Sequence, residues 1–216
     1  MKEQFIKIYK ENIHRPGAEK LLAWLESSDF FEAPASTRFH LCRTGGLVEH
    51  SVHVYDRLRA LFIAEKERMD RCAGITSEED ETIAICGLLH DICKVGCYKL
   101  EPKNKKTYDP EKVKAAQKWQ VKHDALGDFI WESVMEYKFD EDFVYGHGEK
   151  SVYIASAYMK LTREEAVAIR FHMGPWQDGE KQNVGKAFEK CSLAALLHIA
   201  DMQATYLDEV DDDGKG

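Results

Sequence analysis

The sequence predicts an all-α bundle. Apolar residues recur at three- and four-residue spacing through nearly every long segment, and two capping boxes, Thr76 with Glu79 and Thr162 with Glu165, open helices. The alternating pattern that marks strands is nearly absent. No repeat or low-complexity linker divides the chain, so residues 1–216 read as a single domain.

The elements follow in order. Residues 16–26 begin with Pro16 at a permissive first-turn position and place Leu21, Leu22 and Leu25 on one side. Ala33–Gly46 reads as loop, with Pro34, Ser36, Thr37 and the Gly45-Gly46 break. A long helix is expected from Leu47 to Cys72, its core face built from Leu47, Ser51, Val54, Leu58, Leu61 and Phe62. The helix opened by Thr76 carries Ile83, Cys86, Leu89 and His90 on its inner face. Tyr98–Asp109 reads as a loop or lid closed by Pro110, followed by a helix over Glu111–Tyr137 with a break near His123. Further helices are expected over Gly148–Met159, from Thr162 to His172 with a stop at Gly174-Pro175, and over Val184–Glu209. The carboxylates of Asp208–Gly214 read as a tail, 208–216, that frays into solvent.

Bulk composition excludes several classes. A net charge of −8 argues against a protein that coats nucleic acid over its whole surface. The amino terminus, MKEQFIKIYKENIHRPG, is amphipathic and contains acids, which fits neither a secretion signal nor a membrane anchor. Six scattered cysteines without a C-x-x-C pair point to free thiols in a reducing cytoplasm. Cys93 and Cys97 bracket the candidate site, although one turn-spaced pair is weak evidence for metal ligation. Neither a G-x-x-x-x-G-K-[ST] phosphate loop nor a G-x-S-x-G nucleophile elbow occurs.

The most informative residues are polar ones in apolar surroundings. His90 and Asp91 end the run IAICGLLHDICK, and His50, His147, His172 and Asp201 sit in similar settings. Burying even an uncharged polar group without a partner costs about 2–7 kcal/mol, and a shared metal centre removes that cost for all six at once. Singly, each has a plainer reading. Asp201 fits a helix-terminal salt bridge, His172 a favourable charge at a helix carboxyl end, and His147 an ordinary loop residue. The force lies in the combination.

GGLVEH (Gly45–His50), LLHDICK (Leu88–Lys94), GHGEKS (Gly146–Ser151), IRFHMG (Ile169–Gly174) and LLHIAD (Leu196–Asp201) occur in that order. Together they resemble the HD-domain superfamily of metal-dependent phosphohydrolases, in particular its dinuclear branch related to the HD domain of bacterial 3′-5′ exoribonucleases. The resemblance spans residues 44–205. It implies an HD-domain-like helical bundle, with His50, His90, Asp91 and Asp201 around one metal and Asp91 bridging to a second held by His147 and His172. The chain departs from the family in carrying Cys93 where glycine is common and Glu149-Lys150-Ser151 in place of a more apolar stretch. Its length leaves no room for the nucleic-acid-binding domain of the exoribonucleases, which weakens the case for RNA.

Two divalent ions, drawn from Mn, Fe, Zn or Mg, suit mixed imidazole and carboxylate donors. The implied function is hydrolysis of a phosphoester of a nucleotide or short oligonucleotide by metal-activated water. Asp91 serves by bridging and orienting. Lys94 is the candidate phosphate contact, against the plainer reading of a solvent-facing cation at a helix end. His123 is the candidate proton donor to the leaving oxygen. His53 is a weaker candidate for an indirect or substrate contact, while His14, His40 and His198 carry no special claim. The lysine-rich strip Lys99–Lys122 reads either as an attractor for an anionic substrate or as a solvated face. Tyr98, Tyr108 and Trp119 within it read as base-stacking candidates or as core anchors. A cyclic-nucleotide phosphodiesterase or mononucleotidase is the nearest alternative, and a metal-stabilised binding or regulatory module without turnover is the alternative from another class.

Overall fold

The computed structural model describes residues 1–69, 74–176 and 181–210; Cys72 and Asp211–Gly214 lie outside them. The fold is mainly helical, and the chain divides into two compact units, one of residues 1–97 with 141 onward and one of Tyr98–Asp140. The lysine-rich strip that begins at Lys99 falls inside the smaller unit.

The larger unit begins with α1 (Lys2–Asn12) and α2 (Ala18–Ser27). Phe5 and Tyr9 on α1 are buried, and Phe5 packs against the rings of Phe30 and Phe31. Its centre is α3 (Gly46–Arg68), which packs on α4 (Ser77–Leu89) and on α9 (Ser192–Gln203). α6 (His147–Tyr158) packs on α7 (Arg163–Phe171), which in turn packs on α9. Both expected capping boxes are formed, at Thr76 and at Thr162. The helix expected over Val184–Glu209 is broken at Cys191, whose extended backbone separates α8 (Lys181–Lys190) from α9. Cys42, Cys86, Cys93, Cys97 and Cys191 are free thiols. Among the described residues, no helix is long and apolar enough to cross a membrane.

Two glycines set helix spacing at the site. A Cβ on Gly87 of α4 would lie 2.6 Å from the Tyr55 Cα of α3, and one on Gly148 of α6 would lie 2.2 Å from the Arg170 carbonyl oxygen of α7. Both neighbours are backbone atoms, which cannot rotate aside. Gly87→Ala and Gly148→Ala are each expected to destabilise the fold by about 1–3 kcal/mol, the usual cost of overpacking. Denaturant titration checks this; a midpoint unchanged in both would show that the helices slide apart freely.

The smaller unit corrects the all-α expectation. The segment read as a lid is strand β1 (Tyr98–Thr107), and in place of a helix over Glu111–Tyr137 stand α5 (Pro110–Ala115), β2 (Lys122–Asp124) and β3 (Gly127–Phe139). They form an antiparallel sheet in the order β1-β3-β2. The physical reason is a period of two. Phe129, Trp131, Met135, Tyr137 and Phe139 alternate along β3 with Glu132, Glu136 and Lys138 on the other face. Pro102 is accommodated because β1 lies at a sheet edge. Gly127, at φ 121°, takes a backbone conformation suited to glycine and closes the β2–β3 hairpin.

Most of the lysine strip is paired within this unit. Lys99 meets Asp140, Lys103 and Lys105 meet Glu136, Lys106 meets Asp124, and Lys112 meets Glu132. These partners favour the solvated-face reading over an attractor for anions. Tyr98 packs on Tyr137 and Phe139, and Tyr108 packs on Phe129, so both act as anchors within the unit. Trp119 is exposed.

Candidate metal centre

Two helix ends build the heart of the site in the same way. His90 caps the carboxyl end of α4, and His172 that of α7. The last carbonyls of a helix lack intrahelical donors. Each ring supplies one: Nδ1 of His90 donates to the Gly87 carbonyl at 2.9 Å, and Nδ1 of His172 to the Ile169 carbonyl at 2.6 Å. A carbonyl only accepts, so the proton sits on Nδ1 in both rings and each Nε2 presents its remaining valence inward.

Asp91 lies at the centre and is buried. Its Oδ1 accepts from His147 Nε2 at 2.7 Å and lies 3.4 Å from His172 Nε2. Its Oδ2 lies 2.6 Å from Lys94 Nζ and 3.7 Å from both His50 Nε2 and His90 Nε2. On α3, His50 Nε2 lies 3.3 Å from Asp201 Oδ1 of α9 and 3.3 Å from His90 Nε2. The structure thus brings together all six residues singled out in the sequence. They fall into overlapping groups able to hold a metal ion: His50, His90 and Asp201; His90, Asp91 and His172; and Asp91, Cys93 and His147.

The charges follow from this packing. Burial works against ionisation of Asp91, but Lys94, His90 and His147 outweigh it and hold the carboxyl well below the usual range. Burial also opposes a charged His50, yet Asp201 and Glu209 overcome it and raise the ring to about 10. Burial likewise opposes charge on Asp201, whose carboxyl is nonetheless held low by His50. His90 is pushed down to about 3, chiefly by burial. A protonated His50 therefore presents an Nε2–H to Asp201 and His90, a lone proton where several donors converge.

The residues fit a divalent cation on a separate observation. His172 Nε2 is buried and makes no hydrogen bond. At 3.4 Å from Asp91 Oδ1 it feels the carboxylate's charge without an aligned bond, and that charge raises the ring's affinity for a proton against the effect of burial. A buried imidazole nitrogen left without a partner beside a carboxylate is costly in a finished core, and a cation between them removes the cost.

Lys94 is not the solvent-facing cation of the plainer reading. Its ammonium is held by Asp91 and by the Ala35 carbonyl at 2.7 Å. His123 lies in the smaller unit, exposed, with Nδ1 2.8 Å from Asp128. Cys93 is buried with Sγ 3.5 Å from His147 Nδ1, and burial pushes its thiol up, which disfavours the thiolate a metal needs. The unusual Glu149-Lys150-Ser151 stretch is accounted for by partners. Glu149 pairs with Arg170, the buried Lys150 with Glu141, and Ser151 Oγ accepts from the Cys93 amide at 3.2 Å.

Three residues at the site escaped the sequence reading. Glu209, expected to fray with the tail, is buried and receives His50 Nδ1 at 3.0 Å and His53 Nδ1 at 2.9 Å. Asp208, from the same expected tail, pairs with Arg57. His40 packs its ring 5.0 Å from that of His50, and its two nitrogens are buried without hydrogen bonds. Burial and the charge of His50 lower this ring to about 4. His40, His50 and Glu209 form a further group able to hold a metal. No family model matches the chain, and no curated protein or solved structure shows significant similarity to it.

Proposed function

We propose that this protein is a divalent-metal-dependent phosphohydrolase with a dinuclear centre of the HD-domain type, acting on a phosphoester of a nucleotide. The observation that carries the reading is Asp91, whose two oxygens face different imidazole pairs, His147 with His172 and His50 with His90. A carboxylate so placed is suited to bridging two cations. His50, His90, Asp91 and Asp201 would hold one ion and Asp91, His147 and His172 the other.

Ions held there would supply Lewis acidity toward a phosphoryl oxygen and lower the pKa of bound water toward neutrality. The chain's own groups do the rest. Lys94, held at Asp91, keeps that carboxylate ionised and brings a cation to where phosphate charge develops. The Gly87 and Ile169 carbonyls fix the His90 and His172 tautomers, so neither ring reorganises on loading. Of the two imidazoles at Asp91 Oδ1, His147 is the more exposed, which puts the approach to solvent on its side. The ordered motif set and the free thiols support a nucleotide substrate in a reducing cytoplasm. The paired lysines weigh against a long oligonucleotide track in the smaller unit.

Metal analysis of protein purified without chelator, followed by a panel of mononucleotides, cyclic nucleotides and short oligonucleotides with manganese, tests the reading. Two ions per chain and turnover on a nucleotide are expected. Protein that takes up neither manganese, iron nor zinc sinks it. Two bound ions with no turnover across the panel would turn the centre into the structural core of a binding module.

A further inference from the structure

We infer that Glu209 is a positioning residue of the metal centre, delivered to His50 by a π-turn built into the end of α9. The inference rests on the metal-centre reading above. After Gln203 the helix widens over Ala204–Asp208, and the Glu209 amide bonds the Ala204 carbonyl five residues back at 3.1 Å. Two turns of α-helix take about seven residues, so Glu209, eight after Asp201, would be rotated roughly 80° off the Asp201 face of a regular helix. The wider turn absorbs the extra residue and returns Glu209 to the side that meets α3.

There its carboxylate, fully buried, accepts from His50 Nδ1 with both oxygens, at 3.0 and 3.1 Å, and from His53 Nδ1 at 2.9 Å. His50, His53 and Arg57 lie at i, i+3 and i+7 on one face of α3, and Asp208 takes Arg57. The π-turn is thus clamped along two turns of α3. Although Glu209 also groups with His40 and His50, both of its oxygens receive ring N–H groups as the side chains stand, which suits it to positioning His50 rather than to ligation. What it does is hold the proton of His50 on Nδ1, leaving Nε2 for the site shared with His90 and Asp201. Carboxylate–histidine–metal arrays work this way, and losing the outer partner weakens metal binding about 10–100-fold.

The test is calorimetric titration of Mn2+ into chelator-stripped full-length protein, with thermal unfolding of the metal-free forms beside it. Glu209→Ala is expected to weaken one of the bound ions about 10–100-fold. Glu209→Gln, whose amide oxygen still accepts from His50, should recover most of the affinity but not all. Asp208→Ala loosens the Arg57 clamp but leaves the Glu209 contacts with His50 and His53, and should lose much less Mn2+ affinity than Glu209→Ala. Wild-type affinity in Glu209→Ala, or an equal loss in Asp208→Ala, overturns the inference while leaving the metal centre intact. If Glu209→Ala does not fold, Glu209→Gln decides, and unchanged affinity there overturns it. A wild-type protein that binds no Mn2+ removes the centre itself and the role of Glu209 with it.

Discussion

Asp91→Ala is expected to abolish binding of at least one ion and to reduce phosphoester hydrolysis by at least about 1000-fold, the scale of losing a main source of charge stabilisation in a transition state. Four of the five other groups that would hold the two cations face Asp91, while Asp201 meets His50 instead. His147 and His172 are on one oxygen and Lys94, His50 and His90 on the other. Its removal leaves the Lys94 ammonium and the charged His50 facing each other in a buried site. The metal-free variant should therefore also lose stability, by about 3–5 kcal/mol, as for other buried pairs stripped of one partner. Asp91→Asn keeps the shape and one acceptor, and should recover part of the stability but not the metal. Stoichiometric metal analysis and denaturant titration separate the two effects. Two ions retained in Asp91→Ala would remove this residue from the centre.

Metal affinity is expected to fall steeply with acidity, about tenfold per pH unit per displaced proton across neutral pH. Asp91 and Asp201 are held below their usual range, so they stay ionised at neutral pH and do not set this slope. His90, pushed down to about 3, is already neutral. The competing proton is on His50, where burial is overcome by Asp201 and Glu209 and the ring is raised to about 10. Between pH 6 and 8 that proton alone implies roughly 100-fold tighter binding at the higher pH. His172, whose affinity for a proton Asp91 raises against burial, adds to the slope.

Stability of the metal-free protein runs the other way. A raised histidine contributes stability that is full below its unfolded value, near 6.5, and is lost as pH rises through the folded value of about 10. The rise in Tm on adding Mn2+ should therefore grow from pH 6 to 8. A metal-induced shift independent of pH would mean that His50 is already neutral before the metal arrives, or is not a ligand.

How legible this was differs by element. The helix starts at Thr76 and Thr162 were readable because a capping box is local chemistry, complete within four residues. The six candidate ligands were readable because polar side chains in apolar runs stand out wherever they fall. The smaller unit was misread because prolines, lysines and glutamates hide a period of two whose edge strand needs no apolar face. Glu209 was the hardest. It sits in a run of acids that looks like a solvated tail, and regular helical spacing would turn it away from Asp201. Only the non-local fit of a π-turn against His50 and His53 places it inside.

The fixed tautomers of His90 and His172 also bear on which cation the centre selects. Four imidazoles, His50, His90, His147 and His172, outnumber the two carboxylates, Asp91 and Asp201, among the candidate ligands. Magnesium prefers an oxygen cage and keeps its waters, whereas nitrogen-rich sites favour first-row transition metals. A cell's abundant magnesium would compete poorly for rings already oriented to offer nitrogen. Under the proposed function, activity would then follow the supply of scarcer ions such as iron, zinc or manganese, which would tie it to metal status as well as to substrate.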